Sequence, residues 1–141
     1  MARKRDSIGK FPVAALLVVV AWAPCLPALA EEMGGKALFL RNCSACHQVD
    51  GRGIPDAFPA LAGNAFVQGN EAEVASVLLT GRNGMPNFSK RLTDQDLAKI
   101  VNYIRNAWGN RGGEIAAERV AALRADLHAE GFDPTEQNIR H

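Results

Sequence analysis

The pentapeptide Cys43-Ser44-Ala45-Cys46-His47 limits the possible folds and functions of this 141-residue chain more than any other segment. Two cysteines at this spacing can form thioether bonds to the two vinyl groups of one haem. The histidine beside them is then held under the iron as an axial ligand. The pentapeptide therefore predicts one haem c per chain, attached covalently through Cys43 and Cys46, with His47 as a ligand of the iron.

Other kinds of site also use a C-x-x-C pair, and each expects a context that this sequence does not provide. A thioredoxin-like redox pair expects a βαβ pattern around the motif, and none is present. A zinc site expects a further Cys or His pair at metal spacing, but only His128 and His141 remain, both near the C-terminus. A short-range disulfide gives His47 no role. Haem attachment is the interpretation that uses all three residues.

Residues 1–30 have the pattern of a secretory signal peptide. A basic stretch precedes an apolar run over 13–23, and Ala28-Leu29-Ala30 forms an A-x-A cleavage site. An uncleaved membrane anchor is the alternative, because the apolar residues continue to the cleavage site, although prolines interrupt them. Cleavage predicts a periplasmic protein of a Gram-negative bacterium, with no inserted membrane segment.

The mature chain, residues 31–141, has the length of one domain. Removing the signal takes away four basic residues and one acidic residue, which leaves 12 and 14 and a net charge of −2. That balance gives no indication of nucleic-acid binding. We expect the domain to occupy 31–111, followed by a C-terminal helix and tail over 112–141.

Hydrophobic periodicity predicts an all-α domain with three helices before residue 111. The first runs from about Gly34 into the pentapeptide. The second begins at Asn70, an N-cap candidate with Glu73 three residues later. The third begins at Thr93 and carries one apolar stripe. The stripe consists of Leu97, Ile100, Val101, Ile104 and Trp108. Residues 50–70 have no period, so we expect a long loop that wraps around a bound group.

A fourth helix is predicted over 114–129, after the glycine pair at 112–113. Its narrow apolar stripe consists of Ala116, Val120, Leu123 and Leu127. This face either packs back onto the domain, which we expect, or docks a partner protein.

Met85, within Gly84-Met85-Pro86, is the candidate for the second axial ligand. Its thioether sulfur is a soft ligand, and a His/Met pair raises the reduction potential above that of a His/His pair. Met33, His128 or an open position are the alternatives. Pro59 is the candidate acceptor for Nδ1–H of His47, because its carbonyl is free to accept a hydrogen bond. Two filled axial positions leave no place for a substrate, so we predict an electron carrier and not an enzyme.

These residues resemble those of the class I c-type cytochromes, from about residue 34 to residue 108. In that family a glycine and an aromatic residue precede the first haem cysteine by eight and four positions, as Gly35 and Phe39 do here. They cross the C-terminal helix, where Ile100 and Tyr103 match. The resemblance implies the class I cytochrome c fold, in which helices wrap the haem and the N- and C-terminal helices cross.

The resemblance also covers the haem-contacting residues. The family's proline, twelve positions after the haem histidine, matches Pro59, and its leucine two positions later matches Leu61. The Gly-Met-Pro run matches at Met85. Pro59 and Leu61 are therefore expected to contact the haem.

Segments 58–64, 103–110 and 120–124 are similar to the cytochrome subunits that serve periplasmic alcohol, sugar-acid and aldehyde dehydrogenases. This similarity implies a carrier that takes electrons from a dehydrogenase and passes them to a cytochrome or an oxidase. The alternative for the run Trp108-Gly109-Asn110 is an ordinary helix terminus. A tightly docked subunit of a dehydrogenase complex, and a haem sensor or peroxidase-type protein with a labile sixth ligand, are the other functional hypotheses.

Overall fold

The computed structural model describes residues 33–134, so the predicted signal peptide lies outside the described residues. Apart from turns and loops, this part of the chain contains helices and two isolated bridges and no strand, which confirms the all-α prediction. The helices are α1 (Gly35–Asn42), α2 (Ser44–His47), α3 (Ala65–Gln68), α4 (Glu71–Thr80), α5 (Asp94–Asn106) and α6 (Ala117–Asp126). None of the helices within 33–134 combines the length and apolarity that crossing a bilayer requires.

Two helices begin where the sequence predicted. The side chain of Asn70 accepts a hydrogen bond of 2.8 Å from the Ala72 amide at the start of α4. The Thr93 hydroxyl accepts one of 3.1 Å from the Asp96 amide at the start of α5. Each cap satisfies one of the amide groups that a helix leaves unpaired at its N-terminus.

The structure differs from the sequence prediction in the stretch over 50–70, which contains the short helix α3. Asn64 caps this helix and accepts hydrogen bonds of 2.9 and 3.3 Å from the amides of Phe66 and Val67. Four residues are too few to display a helical period, so the pattern predicted only loop. The predicted stripe of α5 also extended too far, since α5 ends at Asn106 and Trp108 has a φ of 54°.

The core forms where α1 crosses α5. The backbones approach so closely there that a Cβ at Gly35 would overlap the carbonyl of Lys99. Phe39 is completely buried, with its ring centre 5.5 Å from that of Tyr103 and 5.1 Å from that of Trp108. The crossing expected from the family resemblance is therefore present.

Helix α6 packs inward, against α4 and α5. Val120 is completely buried and Leu123 is half-buried, whereas Leu127 is 41% exposed and lies beyond the end of the helix. The helix is shorter than the predicted range of 114–129 at both ends. The middle of the predicted apolar face, at Val120 and Leu123, is thus used within the domain, whereas its two ends, Ala116 and Leu127, are exposed.

Candidate functional site

A cavity of about 650 Å³ lies between α1, α4, α5 and the loops that follow α2 and α4. Its walls are mostly apolar and include Phe39, Phe66, Val67, Leu78, Phe88 and Ile104. All six residues that the sequence proposed for the site line this cavity. They are Cys43, Cys46, His47, Pro59, Leu61 and Met85.

The two thiols reach the cavity because Cys43 lies at the junction of α1 and α2. Its backbone ends α1, and its carbonyl accepts hydrogen bonds of 3.2 and 3.0 Å from the amides of Cys46 and His47. This single turn brings both sulfurs and the imidazole to one wall. Burial raises the pKa of the Cys43 thiol to about 12, with a smaller contribution from Cys46, so this thiol is protonated at neutral pH.

His47 is only 8% exposed, and its ring is oriented by the loop that follows it. Nδ1 lies 2.9 Å from the carbonyl oxygen of Pro59, the acceptor proposed from the sequence. A carbonyl can only accept, so Nδ1 carries the hydrogen, and Nε2 is the ring nitrogen left for a metal ion. Such a hydrogen bond fixes both the tautomer and the direction of a histidine that binds metal.

The loop after His47 is closed by its own backbone. The Gly53 amide donates to the His47 carbonyl at 3.0 Å, and the amides of Leu61 and Ala62 donate to Gly51 at 2.7 and 3.0 Å. Gly53 has a φ of 66°, and a Cβ there would lie 2.7 Å from the carbonyl carbon of Pro59. The carbonyl that orients His47 is therefore packed directly against a glycine.

Asn110 joins this loop to the end of α5, a role that the sequence did not predict. Its side chain is 3% exposed and donates to the carbonyls of Leu61 and Ile104 at 2.9 and 2.8 Å. Its side-chain oxygen accepts from the Gly63 amide at 2.8 Å. Nearby, Nε1 of Trp108 lies 3.2 Å from the Val49 carbonyl and donates to it. The end of α5 thus supports the His47 loop and is more than a helix terminus.

Met85 reaches the cavity on a tight turn after α4. Its amide donates to the Arg82 carbonyl at 2.9 Å, and its carbonyl accepts from the Arg82 amide at 3.2 Å. Gly81, with a φ of 76°, begins the turn, and a Cβ there would lie 2.6 Å from the Met85 carbonyl oxygen. The Phe88 amide then donates to Leu78 at 2.8 Å, which returns the chain to α4.

Arg82 is the one permanently charged side chain among the described residues that line the cavity. Its guanidinium carbon lies 4.5 Å from the centre of the Phe66 ring, within cation–π range. The sequence analysis missed Arg82, because an arginine in a loop has no periodic or motif signal that assigns it to a cavity.

The residues of the cavity fit a covalently bound haem. Two thiols, an imidazole nitrogen and a thioether sulfur are the protein groups that hold an iron porphyrin of this kind. The apolar walls suit its ring, and the Arg82 guanidinium suits its carboxylates. Among residues 33–134, no three His, Cys, Asp or Glu side chains are close enough together to hold a bare metal ion.

Residues 30–104 match the protein family described as "Cytochrome C oxidase, cbb3-type, subunit III". Cytochrome c-552 of Thermus thermophilus is 35% identical over 118 residues, which cover 70% of this chain and 78% of that protein. The cytochrome c subunit of the quinone alcohol dehydrogenase of Gluconobacter oxydans is 35% identical over 103 residues. That match covers 64% of this chain and only 22% of the subunit.

Among solved structures, cytochrome c6 of the diatom Phaeodactylum tricornutum aligns with a TM-score of 0.43 and 26% identity. The alignment covers 64% of this chain and 92% of the diatom protein.

Proposed function

Since the chain belongs to the cytochrome c family, we propose that it is a periplasmic single-electron carrier with one haem c. Cys43 and Cys46 would hold the haem covalently, and His47 and Met85 would bind its iron. When bound, the haem supplies an iron that gains and loses one electron. We assign the haem-binding domain to 31–111 and the C-terminal helix and tail to 112–141.

One observation carries this proposal. The imidazole of His47 lies in the wall of an apolar cavity, with Nδ1 held 2.9 Å from the Pro59 carbonyl, and both thiols and Met85 line the same cavity. Pro59 fixes the ring, and Leu61 adds to the apolar wall. The apolar lining would keep water away from His47 and Met85.

The position of the other candidate ligands supports Met85. Met33 is 40% exposed, His128 is exposed, and neither residue lines the cavity. With His47 and Met85 both bound to the iron, the chain offers no open coordination position to a substrate. Its role is then electron transfer alone.

The proposed donor is a periplasmic dehydrogenase, and the acceptor is a cytochrome or an oxidase. The dehydrogenase subunit and the oxidase-subunit family to which this chain is similar support this assignment. A tightly docked subunit remains the second candidate, because that relative is itself a subunit of a dehydrogenase. Docking through the apolar face of α6 is not favoured, since Val120 is completely buried in the domain.

Absorption spectra of the purified holoprotein test the ligand assignment. Ferric wild-type protein should have the weak far-red charge-transfer band that methionine sulfur produces on iron. Met85→Ala should lose this band and bind carbon monoxide rapidly when reduced, whereas the control Met33→Ala should resemble wild type. A wild-type protein that lacks the band, or that binds carbon monoxide readily, would instead support a sensor or peroxidase-type protein.

A further inference from the structure

The segment over 112–134, called the strap below, follows the part of the chain that matches the family. Its helix α6 packs against α4 and α5. Its start is fixed to α5. Asn102 exchanges two hydrogen bonds with the backbone of Ile115, at 3.1 and 2.8 Å. Nε of the buried Arg105 donates to the Gly113 carbonyl at 2.7 Å. The strap therefore leaves α5 along a defined path.

Arg124, in the last turn of α6, connects the strap to the segment over 89–94. Its guanidinium donates to the backbone carbonyls of Ser89 at 2.7 Å and Leu92 at 3.2 Å. Nε lies 2.8 Å from a carboxylate oxygen of Asp94, and the arginine side chain is only 11% exposed. Hydrogen bonds from a charged, largely buried donor are stronger than bonds between neutral groups.

The end of the strap returns to the same segment. The Asp133 amide donates to the Lys90 carbonyl at 2.6 Å, and the Lys90 ammonium lies 2.9 Å from a Glu130 carboxylate oxygen. Arg124 also donates to the Glu130 carbonyl at 2.7 Å. This bond links the residue that holds Ser89 to the residue that pairs with Lys90. The segment over 89–92 is thus held by α6 and by the chain that follows α6.

This segment is one of the two ends of the loop that carries Met85. The other end is fixed to α4 by the turn between Arg82 and Met85. Phe88 lies between Met85 and the held segment, and the amide of Leu92 donates to its carbonyl at 2.9 Å. Rotation of the side chain can move the sulfur locally, but withdrawal of the loop itself from the cavity requires the backbone on at least one side of Met85 to shift.

We propose that Arg124 is a positioning residue that keeps the Met85 sulfur on the iron and so sets how fast an external ligand can replace it. This inference rests on the proposed function, because it requires Met85 to be an axial ligand. The buried side chains of Ile115 and Val120 hold the strap on the domain. Arg124 then fixes the segment over 89–92, which follows the loop that carries Met85, to the strap.

Cyanide binding to the ferric holoprotein measures this property, because cyanide has to displace the methionine. Arg124→Gln should bind cyanide about tenfold faster than wild type, in line with the loss of charged hydrogen bonds. Arg124→Lys, which keeps the charge beside Asp94 but offers fewer directed donors, should be intermediate and also covers the case in which Arg124→Gln does not fold. Arg119→Gln, an exposed change in the same helix, should bind cyanide at the wild-type rate.

A second variant separates ligand positioning from general loss of stability. Asn110→Ala removes buried hydrogen bonds on the His47 side and should lower stability without accelerating cyanide binding. The proposal is overturned if Arg124→Gln has wild-type cyanide kinetics while its charge-transfer band is normal, or if Asn110→Ala accelerates binding equally. A wild-type protein without the charge-transfer band would overturn the ligand assignment itself, which is a different result.

Discussion

The two sides of the cavity are held in different ways. On the histidine side, residues 47–62 bond to one another through the backbone, the Pro59 carbonyl fixes the imidazole from within the same loop, and Asn110 adds bonds to the end of this loop. On the methionine side, local bonds form a turn at Met85 and Phe88 bonds back to α4, and the segment that follows, 89–92, is held by charged hydrogen bonds from Arg124, far along the chain. From this comparison we expect changes near His47 to lower the free energy of unfolding of the domain. We expect changes near Met85 to alter the rate at which an external ligand replaces the methionine.

The largest effect is expected from Gly53→Ala. The added Cβ would overlap the Phe58 carbonyl and lie 2.7 Å from the backbone of Pro59, so the acceptor for His47 has to move. We expect the free energy of unfolding to fall by about 4 kcal/mol, measured by urea titration of the holoprotein. Gly63→Ala is the control. Gly63 has a similar φ of 68° but open space at its Cβ, so the loss should be about 1 kcal/mol. Equal losses would mean that backbone strain, and not the Pro59 contact, matters at Gly53.

Asn110→Ala should have the next largest effect. It removes the three hydrogen bonds that join the His47 loop to the end of α5. A loss of about 3 kcal/mol in the free energy of unfolding is expected, because the carbonyls of Leu61 and Ile104 lose a buried donor. Asn106→Ala, which removes one exposed bond to the Asn102 carbonyl, should cost less than about 0.5 kcal/mol. If the two variants were equally stable, the end of α5 would not support the histidine side.

Gly81→Ala tests the methionine side. Its Cβ would lie 2.6 Å from the Met85 carbonyl oxygen, but every other atom stays at 3.1 Å or more, whereas at Gly53 three backbone atoms come within 2.7 Å. We expect a loss of about 2 kcal/mol in the free energy of unfolding together with a weakened far-red band. Gly84→Ala has open space at its Cβ and should cost about 1 kcal/mol with the band retained. A full band in Gly81→Ala would remove the distinction between the two sides.

The smallest effect is expected from Arg82→Gln, which leaves stability nearly unchanged. A cation near the iron disfavours the ferric state, so its loss should lower the reduction potential, by tens of millivolts at most because Arg82 is exposed and screened. Arg91→Gln makes the same change in net charge. Arg91 lies over Phe88 at 5.6 Å and does not line the cavity, so its potential should change less. Redox titration of both variants measures the difference, and equal shifts would contradict a specific role for Arg82.

The sequence predicted the parts of the fold that depend on local signals. Asn70 and Thr93 cap helices because their side chains bond to amides two or three residues away, and such pairs are visible as residue types at fixed spacing. Helix α3 was missed because it is a single turn. Trp108 was assigned to α5 because its apolar side chain continues the stripe, although the backbone leaves the helix before it.

In the site, too, the residues that could be predicted are those with a local sequence signal. Cys43, Cys46, His47 and Met85 form recognisable motifs, and the structure brings them to one cavity, while their roles as ligands stay a prediction. The buried polar residues that support the site were not predictable. Their partners are backbone carbonyls distant in the sequence, and a carbonyl has no residue type that a pattern could reveal. The direction in which α6 packs was open for a related reason, since an apolar stripe does not identify its partner.

The order of these residues along the chain has a consequence for biosynthesis. Asn110 and Arg124 both follow, in sequence, every loop that they hold around the cavity. A polypeptide that emerges N-terminus first therefore presents Cys43 and Cys46 before the side chains that close the pocket have appeared. Under the proposed function, the thiols would be accessible for haem attachment while the pocket is open, and Asn110 and Arg124 would complete its closure afterwards.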